Sequence, residues 1–155
     1  MKIITSRFGE IEINDEMIFD FIEPILGYDN LTKFALIDNQ SESPFKWLQS
    51  MENGDLAFPI TFPAYFGIDY KFVIPEEKSK KLELKDAENL ITFNIACIPQ
   101  GNVENTTVNL IGPIVINSEN KKGMQLVLAD TKYTVKHKLF DEKVLEKEKQ
   151  KEETK

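Results

Sequence analysis

The chain has 155 residues, 41% of them hydrophobic and 29% charged, with a formal net charge of −7. That length suits one domain with a real core and excludes two comfortable ones. A single arginine (Arg7), an acidic balance and one cysteine (Cys97) argue against direct nucleic-acid binding, an internal disulfide and a cysteine-cluster metal site.

No apolar run reaches the roughly 18–20 residues of a membrane span. The opening MKIITSRFGEIEI lacks the apolar core of a secretory signal, so a cytoplasmic protein without membrane contact is expected. The first 25 residues hold Glu10, Glu12, Asp15, Glu16, Asp20 and Glu23 against only Lys2 and Arg7. Such a surface repels phosphate and attracts basic protein partners.

Residues 2–5 (KIIT) and 10–13 (EIEI) read as a hairpin about Arg7, Phe8 and Gly9. Residues 17–21 (MIFDF) and 33–37 (KFALI) are further strands, separated by a loop at Pro24 and Gly27. Residues 45–49 and 56–60 follow, joined by the turn signal Glu52, Asn53, Gly54, Asp55. Pro59 cannot donate to a ladder, which puts its strand at an edge or a bulge. Residues 63–66 suit one helical turn opened by Pro63, and 70–74 (YKFVI) read as a strand. The charged residues 76–86, with Leu82 and Leu84 as anchors, read as a short exposed helix or a loop.

The longest alternation is 90–98 (LITFNIACI), expected as a central strand, followed by a polar loop over 99–106. Strands at 107–110 and 114–117 are interrupted at Gly112 and Pro113, which signals a bulge or corner. A turn at 120–123 leads to a strand at 124–129, and 133–139 closes the series. Beyond residue 140, eleven of fifteen residues are charged, so 141–155 reads as a frayed helix or disordered tail. The expectation is an all-β, small antiparallel β-barrel-like single domain over 1–140, with one or two short helical turns and a charged C-terminal tail.

The residues of 43–70 are the densest in rigid side chains. They hold the only tryptophan, Trp47, with Phe45, Phe58, Phe62, Phe66, Tyr65, Tyr70 and three prolines. Spacing leaves open whether this is core or binding face. Phe45, Trp47 and Leu48 read as core. Catalytic constellations are wanting. His137 is the only histidine, which excludes a multi-histidine metal site and a histidine triad, and it reads as solvated between Lys136 and Lys138. Cys97, in an apolar alternation, reads as a buried, inert thiol. Glu10 and Glu12, two apart on a strand, read as a solvated face rather than an acid–base pair. No cofactor is implied.

SPFKWLQS (43–50), LAF (56–58), Pro63, Asp69-Tyr70, VNLxxPIVIN (108–117) and Gln125, with Leu26-Gly27-Tyr28, give the chain a specific likeness. It resembles the flagellar assembly factor FliW family over about residues 1–140. Phe62 stands where the family commonly has a polar residue, and Leu26 where it has proline. The resemblance implies a non-enzymatic, β-barrel-like protein that binds the carbon storage regulator CsrA, a repressor of flagellin translation, and antagonises it. It further implies binding of flagellin in a partner switch, with antagonism exerted beside the RNA site rather than in it. An alternative is a chaperone-like module that binds flagellin by strand addition at the Pro59 edge, without effect on the regulator.

Edges and aromatic anchors suit protein interfaces. The expected partner-binding residues are therefore Phe58, Phe62, Pro63, Phe66, Asp69 and Tyr70, in a monomer. Asn109, Pro113 and Gln125 are expected to be structural.

Overall fold

The N-terminal hairpin forms as its alternation dictates. β1 (Lys2–Thr5) and β2 (Gly9–Glu12) pair antiparallel, with Ile3 opposite Ile11. The structure is a computed structural model describing residues 1–38, 43–129 and 131–140.

The remaining strands are β3 (Ile18–Phe21), β4 (Lys33–Ile37), β5 (Lys46–Ser50), β6 (Ala57–Thr61), β7 (Leu90–Cys97), β8 (Thr107–Val108), β9 (Ile114–Asn117), β10 (Lys122–Gln125) and β11 (His137–Lys138). Seven close a barrel in the order β3-β4-β5-β6-β7-β9-β10 and back to β3. Closure satisfies ladder groups that an open sheet would leave at its edges. Six seams are antiparallel, and the β3–β10 seam is parallel. β8 and β11 continue from the far end of β7.

Period-two alternation sends one side of each strand inward. Phe19, Phe21, Phe34, Leu48, Ile60, Phe93, Ile114 and Ile116 fill the barrel. Val115, between two inward isoleucines, faces out and packs with Met124, Leu126 and Leu82. Leu82 ends the short helix α1 (Glu76–Lys81), so the charged segment is held by its leucine anchor. The buried Asn117 fixes it further, its Nδ2 donating to the Leu82 carbonyl at 2.9 Å. A third cluster joins Val108, Leu110 and Leu139 to Phe45, Phe66, Tyr70, Tyr133 and Phe140.

Several expectations are corrected. Residues 70–74 alternate in burial but join no ladder, because alternation reports half-burial and not the presence of a neighbouring strand. The expected strand over 124–129 ends its ladder at Gln125, and 133–139 pairs only through His137 and Lys138. Trp47 faces outward, half-buried, because Leu48 takes the inward position. Phe8 meets the Trp47 ring edge-on at 6.1 Å, and the Arg7 guanidinium lies 3.9 Å from its centroid. Cys97 is exposed at the end of β7, past the last residue that pairs with β6. His137 is half-buried opposite Val108. The tail reading for 141–155 lies outside the described residues.

Pro59 keeps its edge character inside the barrel. β6 pairs with β7 only through Ile60 and Thr61, so the half-strand carrying Pro59 has no ladder partner on that side.

Candidate partner-binding surface

The stretch after β6 builds the surface. Phe62 is the extended residue before a 3-10 turn, Pro63–Phe66, which starts on a buried proline. Gly67, at φ 72°, ends the turn, and its N–H donates to the Ala64 carbonyl at 3.2 Å. A left-handed φ favours glycine there. So short a turn throws successive aromatics in different directions.

Phe62 packs back on the barrel, edge-on to Phe93 at 6.4 Å and to Tyr65 at 5.3 Å. Phe66 points the other way, 5.9 Å from Phe45 and 5.4 Å from Phe140. An apolar groove of about 630 Å³ results, with Phe45, Tyr65, Phe66, Ile98, Val103 and Phe140 among its walls. Tyr65 is 62% exposed, and Val103 is exposed beside it.

The six expected residues are not brought together into one patch. Phe58 is half-buried on the barrel interior, edge-on to Tyr28 at 5.1 Å. Pro63 is buried. Asp69 is exposed, 3.9 Å from Lys71. Tyr70 is a clamp. Its hydroxyl donates to the Leu110 carbonyl at 2.6 Å and accepts from Asn94 Nδ2 at 3.3 Å. Burial pushes its phenol up to about 12, and the Asn94 hydrogen bond only partly opposes this.

The motif residues read as structural do serve the backbone. Gln125 accepts from the Leu26 N–H at 2.8 Å and donates to the Gly112 carbonyl at 3.1 Å. Asn109 Oδ1 accepts from the Ile111 and Gly112 N–H groups, both at 3.0 Å. This turns the corner between β8 and β9. Gln49, wholly buried, donates to the carbonyls of Ser50 and Leu56, each at 3.0 Å, across the β5–β6 turn.

Sequence reasoning missed Tyr65, Val103 and Phe140 as groove walls. Tyr65 stood within the expected helical turn and could have been found there. Val103 and Phe140 lie far along the chain and give no local signal.

The acidic side is separate. Glu10, Glu12, Asp15, Glu16 and Asp20 are all exposed on β2, the 3-10 turn after it and β3. Glu23 instead holds α1, its carboxylate accepting from Lys78 Nζ at 2.7 Å and Lys81 Nζ at 3.0 Å. The Lys78 hydrogen bond, ahead of Lys81, keeps the Glu23 carboxyl below its ordinary value against a weaker opposing effect of burial. Among the described residues, no helix is long and apolar enough to cross a membrane. Among them also, no three His, Cys, Asp or Glu side chains are grouped to hold a metal ion.

Comparison with known proteins agrees with this architecture. The family model described as FliW protein matches residues 2–139. A flagellar assembly factor FliW of Caldanaerobacter subterraneus subsp. tengcongensis is 41% identical, over 92% of this chain and 95% of its own. One from Alkaliphilus metalliredigens is 43% identical, over 92% of this chain and 88% of its own. A crystal structure of the flagellar assembly factor FliW superposes with a TM-score of 0.84 at 32% identity, covering 93% of this chain and all of that one. A family match over nearly the whole barrel, with the same fold in a solved relative, means that this chain belongs to the FliW family.

Proposed function

We propose that this chain is a non-catalytic flagellar assembly factor acting by partner exchange in the cytoplasm. As a monomer it binds the carbon storage regulator CsrA and relieves repression of flagellin translation, and flagellin displaces it from that task. The observation that carries the reading is the family membership, over residues 2–139. Two surface features support it. The exposed carboxylates Glu10, Glu12, Asp15, Glu16 and Asp20 suit a basic, RNA-binding partner and would repel its phosphates once docked. The groove beside Phe66 offers the kind of aromatic anchor that dominates protein interfaces.

Within this reading the expected residues divide by role. Phe62, Phe66 and Asp69 are within a partner's reach; Phe58, Pro63 and Tyr70 hold the surface in shape. The deciding experiment titrates a complex of the regulator and flagellin mRNA leader with this protein, with and without flagellin. RNA release that flagellin reverses is expected. Flagellin binding without RNA release would leave only the chaperone-like role, and binding to neither would sink the proposal.

A further inference from the structure

The N-terminal hairpin has an edge that no described strand covers. Met1 and Ile13 form a doubly bonded pair: the Ile13 N–H donates to the Met1 carbonyl at 2.8 Å, and the Met1 amino group donates to the Ile13 carbonyl at 3.0 Å. In an antiparallel ladder such pairs alternate with pairs whose main-chain groups point away from each other. Ile3 stands opposite Ile11 and Lys2 opposite Glu12, so the outward main-chain groups of β2 are those of Glu10 and Glu12. Among the described residues they have no hydrogen-bond partner on that side. The β1 edge differs, because the Ser6 N–H beyond it donates to the Gly54 carbonyl at 3.0 Å.

The free edge opens on an apolar groove of about 480 Å³ between hairpin and barrel. Ile11 and Ile13 from one face of β2 line it, and so does Glu12 from the other, as in a groove running along an edge. Met17, Leu36 and Ile37, all half-buried, line the barrel side. The charged side chains in the lining are both carboxylates, Glu12 and Asp38. Asp38 is paired with Lys46 at 3.5 Å. Glu12 is different: its carboxylate, like those of Glu10, Asp15 and Glu16, forms no ion pair or hydrogen bond among the described residues. Lys2, across the ladder from Glu12, does not close to ion-pair distance, and Arg7 is stacked on Trp47. The four residues after Asp38 are Asn, Gln, Ser and Glu, so the sequence there supplies no cation either.

We propose that an extended segment of a partner protein adds along β2 as a third strand, with lysine or arginine on alternate residues and aliphatic side chains between them. The two faces dictate this chemistry. An added strand sets its outward side chains beside Glu10 and Glu12, where an opposite charge is favoured and a carboxylate repelled. Its inward side chains meet Ile11, Met17, Leu36 and Ile37, which take apolar groups. Main-chain groups supply the affinity, and alternate side-chain positions the selectivity. The proposal rests on the function above only in taking a partner to be basic, and it assigns how that partner is held.

The test uses the whole chain and a capped VKVKV peptide. Binding should shift the Glu10 and Glu12 amides and slow their hydrogen exchange about tenfold or more. N-methylation of one alternate set of peptide amides, the lysines' or the valines', should weaken binding about tenfold or more, and of the other set should not. VEVEV should bind more weakly than VKVKV, and the gap should close in high salt. On the protein, Glu10→Gln with Glu12→Gln should weaken VKVKV about threefold or more. Glu104→Gln, exposed and outside this groove, should leave binding unchanged. Unprotected Glu10 and Glu12 amides in the complex, equal binding of VEVEV, or both N-methylated sets binding like the parent would overturn the proposal. So would protection of both amides already in the free chain, which would give the edge to a segment of this chain itself. RNA release by this protein without protection of these amides by VKVKV sinks this proposal and leaves the function above standing; protection without RNA release does the reverse.

Discussion

The Tyr70 hydroxyl reaches the carbonyl of Leu110, forty residues along the chain, at 2.6 Å. That one bond ties the segment leaving the aromatic turn to the corner between β8 and β9. Tyr70→Phe would leave a buried carbonyl without its donor, costing about 1–3 kcal/mol in urea unfolding. The phenol is raised to about 12 from an ordinary value of 10, because burial disfavours the phenolate. The folded state thus holds this proton more tightly, so the contribution is complete below pH 10 and is lost as pH rises toward 12. Tyr70→Phe should abolish that part of the alkaline loss of stability.

Glu23 should show the opposite pH dependence. Its carboxyl is depressed below 4.5, first by the Lys78 hydrogen bond. A depressed acid stabilises above its unfolded value, and that stability disappears as pH falls through the folded one. Glu23→Gln should cost about 0.5–1 kcal/mol at pH 7, discounted for partial exposure, and nearly nothing in strong acid. Paired urea melts of both proteins across that range check it.

Gly54→Ala should loosen the N-terminal hairpin. A Cβ there would lie 2.1 Å from the Ile4 carbonyl oxygen, and the Gly54 carbonyl accepts from the Ser6 N–H at 3.0 Å. Backbone cannot yield as a flexible side chain would. We expect a loss of about 2 kcal/mol and faster hydrogen exchange at the Ser6 amide, with barrel amides protected.

Arg7→Ala should redden the emission of Trp47, which is the only tryptophan and carries that guanidinium 3.9 Å from its ring centroid. The accompanying loss of stability should be about 0.5–1 kcal/mol. An unchanged spectrum would mean that Arg7 does not cover the ring in solution.

Tyr65→Ser separates binding from folding. Tyr65 is 62% exposed, so stability should change by no more than about 0.5 kcal/mol. If the groove anchors a partner, affinity should fall about tenfold or more in calorimetry. Unchanged affinity for both regulator and flagellin would remove the groove from either interface.

The parts legible in advance were those governed by neighbours in sequence. The hairpin, the Glu52 to Asp55 turn between β5 and β6, the long β7 and the proline-started turn all follow from local alternation and turn chemistry. The family likeness was legible too, because its motifs mark backbone-serving residues such as Gln49, Asn109 and Gln125. Parity was not. Between Phe45 and Ser50 both sides carry apolar residues, and only the ladders Leu36–Leu48 and Leu48–Phe58 decide that Leu48 turns in and Trp47 out.

Sequence alone therefore determined that the chain is acidic and strand-rich with its rigid side chains concentrated in one stretch, since composition and short-range periodicity are local properties. Tertiary structure decided closure through the parallel β3–β10 seam and the splitting of Phe62 from Phe66. Both depend on which distant segments meet, and alternation along one segment carries no information about the strand beside it.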